Sequence, residues 1–222
     1  MKYKVKPTDL SACSSLDWLA PPWDQANSLT VGRFHTQSSS HRPVVQAKLL
    51  YDPEHLYVMF RVEDRYVRSV HTEYQGAVCR DSCVEFFVEP VPGKGYFNFE
   101  SNAGGTLHLS YIEDPRRGAN GFAKYEFIPQ ELGHQVRVKA TLPEKVDPEI
   151  KDPITWLSKL TIPLNVFRPY VGELALRPGV SWRANFYKCA DDTSHPHWAT
   201  WAPIGEQLNF HQPRYFAPIE FV

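Results

Sequence analysis

The sequence has no apolar run long enough to cross a membrane, which takes about 20 helical residues, and its opening residues, Met1-Lys-Tyr-Lys-Val-Lys, lack the apolar stretch of a secretory signal. The compartment expected is therefore the cytoplasm, or the exterior if the chain is a trimmed mature form. Neither sign of charge is in excess, with 24 Lys and Arg against 25 Asp and Glu. Nucleic-acid binding rests on neutralising phosphates, so this balance argues against DNA and RNA as partners. The four cysteines, Cys13, Cys79, Cys83 and Cys189, form no Cys-x-x-Cys pair, and nothing in their spacing implies an oxidising compartment. Met59 is the only internal methionine. Internal repeats, low-complexity tracts, a P-loop, a dinucleotide glycine motif and a recognisable Ser-His-Asp arrangement are all missing.

Strand signals, prolines and aromatic rings are abundant. In His55–Val62, the residues Leu56, Val58, Phe60 and Val62 alternate with Tyr57, Met59 and Arg61, the two-residue period of a strand. Val44–Tyr51 precedes it across Asp52-Pro53-Glu54, which predicts a tight turn between two strands. Further strands are predicted at Ser82–Glu89, Tyr96–Asn102, Thr106–Tyr111, Gly121–Phe127, Gln135–Leu142, Leu157–Ile162, Ser181–Cys189 and Ala217–Val222. One short helical turn is predicted near Pro163–Pro169, and the 19 prolines, spread along the chain, favour turns over helices. Roughly ten strands with short connections predict an all-β fold with little helix: a two-sheet antiparallel β-sandwich, jelly-roll-like. A single domain over residues 1–222 accommodates them, with a core large enough to need no disulfide or metal.

Strand parity singles out candidate binding residues. If Val84, Phe86 and Val88 fill the core, Glu85 and Glu89 lie on the opposite face; if Phe97 and Phe99 do, Asn98, Glu100 and Asn102 lie opposite. On the late strand Trp182, Ala184 and Phe186 turn inward, leaving Arg183, Asn185 and Tyr187 outward. One sheet built from these strands gathers Glu, Asn, Arg and Tyr on its outer face, a mixture of donors and acceptors suited to sugar hydroxyls. The alternative is a plain solvated face, common in antiparallel sheets. Against it stand the large rings of Phe87, Tyr96 and Tyr187 among the charges, and asparagine, which ordinary strands disfavour.

Trp198 and Trp201 fall in His195-Pro-His-Trp-Ala-Thr-Trp-Ala-Pro203, which reads as a loop. An indole there either plugs the end of the sandwich or stacks on a ligand, since its flat, negative face matches the apolar, weakly positive C–H face of a sugar ring. Trp201 is assigned to stacking and Trp198 equally to either role. Trp18, Trp23, Trp156 and Trp182 suit core or edge packing.

Several segments resemble carbohydrate-binding modules of family 9. Val78-Cys-Arg-Asp-Ser-Cys-Val-Glu-Phe-Phe87 is similar to the family's Asp-Ser-Val-Glu-Ile-Phe strand, while Ala47-Lys-Leu-Leu-Tyr-Asp-Pro-Glu-His-Leu-Tyr-Val58 and Val62-Glu-Asp64 resemble its paired early strands. Trp182-Arg-Ala-Asn-Phe-Tyr187, Trp201-Ala-Pro203 and Pro213-Arg-Tyr-Phe216 resemble its closing strand, tryptophan loop and final turn. The resemblance runs in order from about Val44 to the end of the chain. It implies a non-catalytic β-sandwich that grips plant-type poly- or oligosaccharides, often at their ends, and that is frequently appended to xylanases. It also implies no cofactor other than, in some members, calcium. Trp201 matches the family's stacking tryptophan and Glu85 its acidic sugar contact; Asn98, Glu100, Asn185 and Tyr187 fall where polar contacts lie. The family's second tryptophan falls at Val78 here, which leaves Tyr74 as the aromatic to supply the second face.

Two other functions compete with carbohydrate binding. Glu85 and Glu100 could act as the carboxylate pair of a glycoside hydrolase. A haem-binding sandwich would draw on Met59 and one of nine histidines. Asp191, Asp192, His195 and His197 form a compact group with metal-ligand chemistry, for which a plain polar loop ahead of Trp198 is the preferred reading.

Overall fold

The computed structural model describes residues 1–9, 14–118 and 121–222; Cys13 lies outside them. Its first nine strands are β1 (Tyr3–Pro7), β2 (Ser28–Thr30), β3 (Arg33–Phe34), β4 (Val44–Tyr51), β5 (His55–Asp64), β6 (Val67–Ser69), β7 (Cys83–Glu89), β8 (Tyr96–Asn102) and β9 (Leu107–Gly118). The others are β10 (Gly121–Phe127), β11 (Arg137–Ala140), β12 (Val146–Ile150), β13 (Ile154–Pro163), β14 (Ser181–Cys189), β15 (Trp198–Thr200) and β16 (Ala217–Phe221). Two four-residue α-helices, α1 (Gln130–Gly133) and α2 (Arg168–Val171), are present among the described residues; α2 follows a 3-10 turn at Leu164–Val166, where one helical turn is predicted near Pro163–Pro169.

The fold grows from the turn at Asp52. Its Oδ1 accepts the backbone N–H of Glu54 and of His55, each at 2.8 Å, which closes β4 onto β5 in unbroken antiparallel register from Tyr51↔Leu56 to Val44↔Glu63. Two large sheets form a β-sandwich. The first runs β10-β9-β8-β7-β14-β16-β1, with β15 also paired to β14, and β3 to β15; the second runs β1-β4-β5-β13-β11, with β2 beside β4. β1 belongs to both, pairing Tyr3–Val5 with β16 and Lys6–Pro7 with β4, parallel in each case. β6 and β12 form a small separate sheet.

Side-chain alternation sends Val84, Phe86 and Val88, Phe97 and Phe99, and Trp182, Ala184 and Phe186 into one core with Leu56, Val58, Phe60 and Val62 from the facing sheet. The outer faces are not bare, as a simple two-layer reading of the sequence expects. Trp18, Trp23 and Ala26 lie over the second sheet on Leu50, Tyr57 and Met59. This cover is pinned by Lys48, whose Nζ donates to the carbonyls of Trp18 and Trp23 at 3.0 and 2.8 Å. Met59 is fully enclosed there, which corrects the haem reading: a thioether packed among indoles offers no open axial position. Over the first sheet, Ile204, Phe210, Tyr215 and Phe216 pack on Phe87, Tyr96, Ile112 and Tyr187.

Lys188 has the inward parity of β14 and points into the sandwich, fully buried. Its Nζ lies 3.9 Å from Asp64 Oδ2 and donates to the carbonyl of Cys189 at 2.9 Å. Asp64 also accepts from His41 Nε2 at 2.8 Å and Trp156 Nε1 at 3.3 Å. Burial by itself raises the Asp64 carboxyl, but the Lys188 ammonium and the His41 hydrogen bond outweigh it and hold the group below the usual carboxylate range.

Candidate functional site

Trp198–Thr200 is the short strand β15, where the prolines and histidines on either side suggest a loop. It pairs with the end of β14 that β16 leaves open, placing Trp198 opposite Cys189, Ala199 opposite Lys188 and Thr200 opposite Tyr187. The strand period then separates the two tryptophans. Ala199 and Trp201 turn into the core, and Trp198 turns to the opposite face. Trp201 is 5% exposed and meets Phe186 edge-on, with ring centroids 5.5 Å apart. Its assignment to ligand stacking is therefore corrected, and Trp198 is the tryptophan that faces a pocket.

That pocket lies on the covered face of the first sheet and has a volume of about 210 Å³. One rung of side chains crosses beneath it: His108 on β9, Glu100 on β8, Glu85 on β7 and Tyr187 on β14. Glu85 and Glu100, 3% and 7% exposed, form the floor, and Trp198 and Phe210 stand at its walls with Cys79, Cys189, Arg117 and His211. Both rings are held in place. Trp198 donates from Nε1 to Asp191 Oδ1 at 2.7 Å and from its backbone N–H to Ser38 Oγ at 3.0 Å. Phe210 stacks on Tyr187 at 4.2 Å between centroids, and the Tyr187 hydroxyl donates to the Phe210 carbonyl at 3.0 Å.

The other sequence candidates stand one step back or elsewhere. Asn98 donates to Glu100 Oε1 at 2.7 Å and accepts the Ser110 N–H at 2.9 Å, so it orients a floor carboxyl. Asn185, read as a sugar contact, is fully buried; its Oδ1 accepts the N–H groups of Phe186 and Ala202, and its Nδ2 donates to the Ala202 carbonyl. Arg183 pairs with Glu89 at 3.3 Å and donates to the carbonyls of Arg214 and Phe216, which fastens the covering segment to the sheet. Tyr74 is corrected as well. Its hydroxyl donates to the Ile128 carbonyl at 2.8 Å, and its ring packs on the backbone of Gly133, where a Cβ would lie 1.8 Å from the phenol oxygen. It lines a separate concavity with Gly105 and Thr106. Asp191, Asp192, His195 and His197 do not converge: Asp192 pairs with Arg80, His195 stacks on Tyr66, and His197 bonds to the His195 carbonyl. Phe210, Arg117 and His211 carry no sequence signal, because loop and hairpin-tip residues have no period to place them. Cys189 shares the parity of Tyr187 and was within reach of the same argument.

Burial sets the electrostatics of the site. It raises Glu85 well above the usual carboxylate range, assisted by the charge of Glu100, and it raises Glu100 too. A protonated carboxyl both donates and accepts, and Cys189 Sγ already donates to Glu85 Oε1 at 2.8 Å. Burial likewise raises the thiols of Cys79, Cys83 (to about 12) and Cys189, so none is a ready nucleophile. The His211 ring sits among Phe87, Tyr96 and Phe122, with Nδ1 2.9 Å from the Tyr96 hydroxyl. Burial, reinforced by Arg117 and His108, lowers its pKa to about 3. The unfolded chain takes up a proton on this residue near pH 6.5 that the folded protein refuses, so its contribution to stability is complete above pH 6.5 and is lost as pH falls toward 3. Replacing His211 with Asn is expected to remove roughly 1 kcal/mol per pH unit from the acid slope of stability. Urea unfolding of both proteins across that range measures it.

The sequence profile of carbohydrate-binding family 9 matches residues 23–221. The chain belongs to that family. A Bacteroides uniformis protein assigned provisionally to carbohydrate binding is similar to it over 100% of this chain and 99% of its own, at 25% identity and a TM-score of 0.84. A family 9 module of Caldicellulosiruptor kristjanssonii, solved with glucose, shares the fold at 13% identity and a TM-score of 0.65, covering 100% of this chain and 96% of its own. The same organism's family 9 module solved with cellotriose gives 14% identity and a TM-score of 0.64, covering 100% and 93%. No curated protein matches the chain in sequence. In this family 9 protein, the residues that carry the sequence resemblance are largely structural. Asp81 Oδ2 accepts the N–H groups of Val70 and His71 and the amide of Asn102, and Ser82 Oγ accepts the Arg68 N–H. Val78, where the resemblance places a second tryptophan, is buried beneath Trp198 and Phe210. Among the described residues, one group of three potential metal ligands converges, Cys83, Glu85 and Cys189. Two thiols and one carboxyl do not fit calcium, which takes six to eight oxygens.

Proposed function

We propose that this pocket binds a carbohydrate without cleaving it, holding one sugar ring between Trp198 and Phe210 with its hydroxyls on Glu85 and Glu100. The observation that carries this reading is the pair of buried carboxyls, in register on adjacent strands, that lines one pocket with two fixed aromatic rings. Ring faces cover the apolar C–H surface of a sugar, and carboxyls accept from its hydroxyls and, where they carry a proton, donate to them as well. The pocket, at about 210 Å³, is smaller than the roughly 300–1,000 Å³ that larger ligands occupy. One ring fits, so the end of a chain is bound rather than its interior. Relatives solved with glucose and cellotriose support a glucose-type ligand. A plant-type poly- or oligosaccharide follows as the ligand class, with carbohydrate catabolism alongside glycoside hydrolases as the setting.

Hydrolysis by the same pair is the competing reading. A glycosidase needs its two carboxyls pushed apart in pKa, one protonated and one ionised. Here burial raises both, and the charge of Glu100 raises Glu85 further, so the two readings are separated by experiment. Calorimetry with glucose and cellotriose tests the proposal: Trp198→Ala is expected to cost about 1–3 kcal/mol, a five- to 150-fold weaker affinity, with the fold intact. Unchanged affinity in that variant removes the ring from the account. Release of glucose from cellotriose, abolished by Glu85→Gln, would replace binding with catalysis.

A further inference from the structure

We propose that Cys83, Cys189 and Glu85 form a site for a thiophilic metal ion, zinc being the expected occupant, at the base of this pocket. The proposal stands whether or not the pocket takes a sugar. Cys83 and Cys189 face each other directly across β7 and β14, on the pocket side of the sheet. Their Sγ atoms and a Glu85 carboxylate oxygen all lie within 4.8 Å of one another, and Cys189 Sγ is 2.8 Å from Glu85 Oε1. Tetrahedral zinc with thiolate bonds of about 2.3 Å sets its ligand atoms about 3.8 Å apart. The three atoms therefore reach that geometry by side-chain rotation alone, with the β7–β14 register unchanged.

The donor set selects the ion. Two thiolates suit Zn²⁺ or Cu⁺ and reject Mg²⁺ and Ca²⁺. Two thiolates and a carboxylate around a divalent ion leave one net negative charge, which the Arg117 guanidinium on the same pocket wall offsets. Three protein ligands leave a fourth position open. It faces the pocket, whose lining offers Cys79, on the turn at Val78–Arg80, Glu100 and Asp191 as further donors. The sheet supplies two of the ligands from one rung and Glu85 from the next on the same face, so all three are fixed by strand pairing rather than by a loop.

The test uses the intact, reduced, metal-free protein titrated with Co²⁺. One equivalent is expected to produce thiolate-to-cobalt charge-transfer absorption in the near ultraviolet and the visible bands of tetrahedral cobalt, and one equivalent of Zn²⁺ is expected to bleach both. Cys189→Ser should lose most of the charge-transfer intensity. Because that variant could misfold, zinc-edge X-ray absorption on the wild type provides the second reading, with two sulfur neighbours expected. Cobalt that binds without a thiolate band, zinc surrounded only by nitrogen and oxygen, or a Cys83–Cys189 disulfide persisting under reducing conditions would each overturn the site.

Discussion

Trp201→Ala is expected to destabilise the protein by about 3–5 kcal/mol, the range for removing a large aromatic from a packed core. The indole lies inside the sandwich against Phe186, and Phe186 in turn contacts Phe60 of the facing sheet and Phe86 of the neighbouring strand. Its loss opens a cavity where the two sheets meet. Trp201 also begins the segment that covers the pocket, since its backbone N–H donates to the Phe186 carbonyl at 2.9 Å. Denaturant unfolding gives the stability change directly. Affinity measured on the fraction that remains folded separates it from Trp198→Ala, which should spare stability and lose binding. If Trp201→Ala weakened sugar binding while leaving stability unchanged, the two tryptophans would have to exchange roles.

The second large effect is expected at Asp64. Asp64→Ala leaves the Lys188 ammonium buried without its carboxylate, and breaking a buried pair from one side typically costs about 3–5 kcal/mol. The ammonium keeps its hydrogen bond to the Cys189 carbonyl, and Trp156 and His41 lose an acceptor. Replacing both ends, Asp64→Ala with Lys188→Met, is expected to recover much of the loss, because the uncompensated charge goes with the lysine. Equilibrium unfolding of the two single variants and the double variant closes the cycle. A double variant no more stable than Asp64→Ala alone would show that the pair is not what holds this end of the sandwich. Lys188 neighbours Cys189 in sequence and points to the opposite face, so this interior pair and the pocket are fixed by the same strand.

Much of the architecture was legible in the residues. The alternation in His55–Val62 and the Asp52 turn predict β4 and β5 to the residue at their shared turn, and the same period assigns Glu85, Glu100 and Tyr187 to one face. Among the strands that escaped notice, β1 and β12 have five residues each, while β2, β3 and β15 are two or three residues long. So short a segment shows no period, and it becomes a strand only because a longer neighbour offers unpaired backbone groups. That omission misdirected the choice between Trp198 and Trp201: taken as loop residues they have no parity, whereas on β15 they point to opposite faces.

The amino-acid sequence alone determined the sandwich, its inner core and the parity that aligns two glutamates on one face, because side-chain alternation is a local property of an extended chain. Tertiary structure decided that this face is roofed by residues 202–216, that Phe210 rather than Tyr74 joins Trp198, and that Cys83 and Cys189 come opposite each other. Those outcomes depend on which strands become neighbours and on where a loop returns. They are set by burial and hydrogen bonding between segments more than a hundred residues apart, such as Glu85 and Cys189, and no local pattern encodes them.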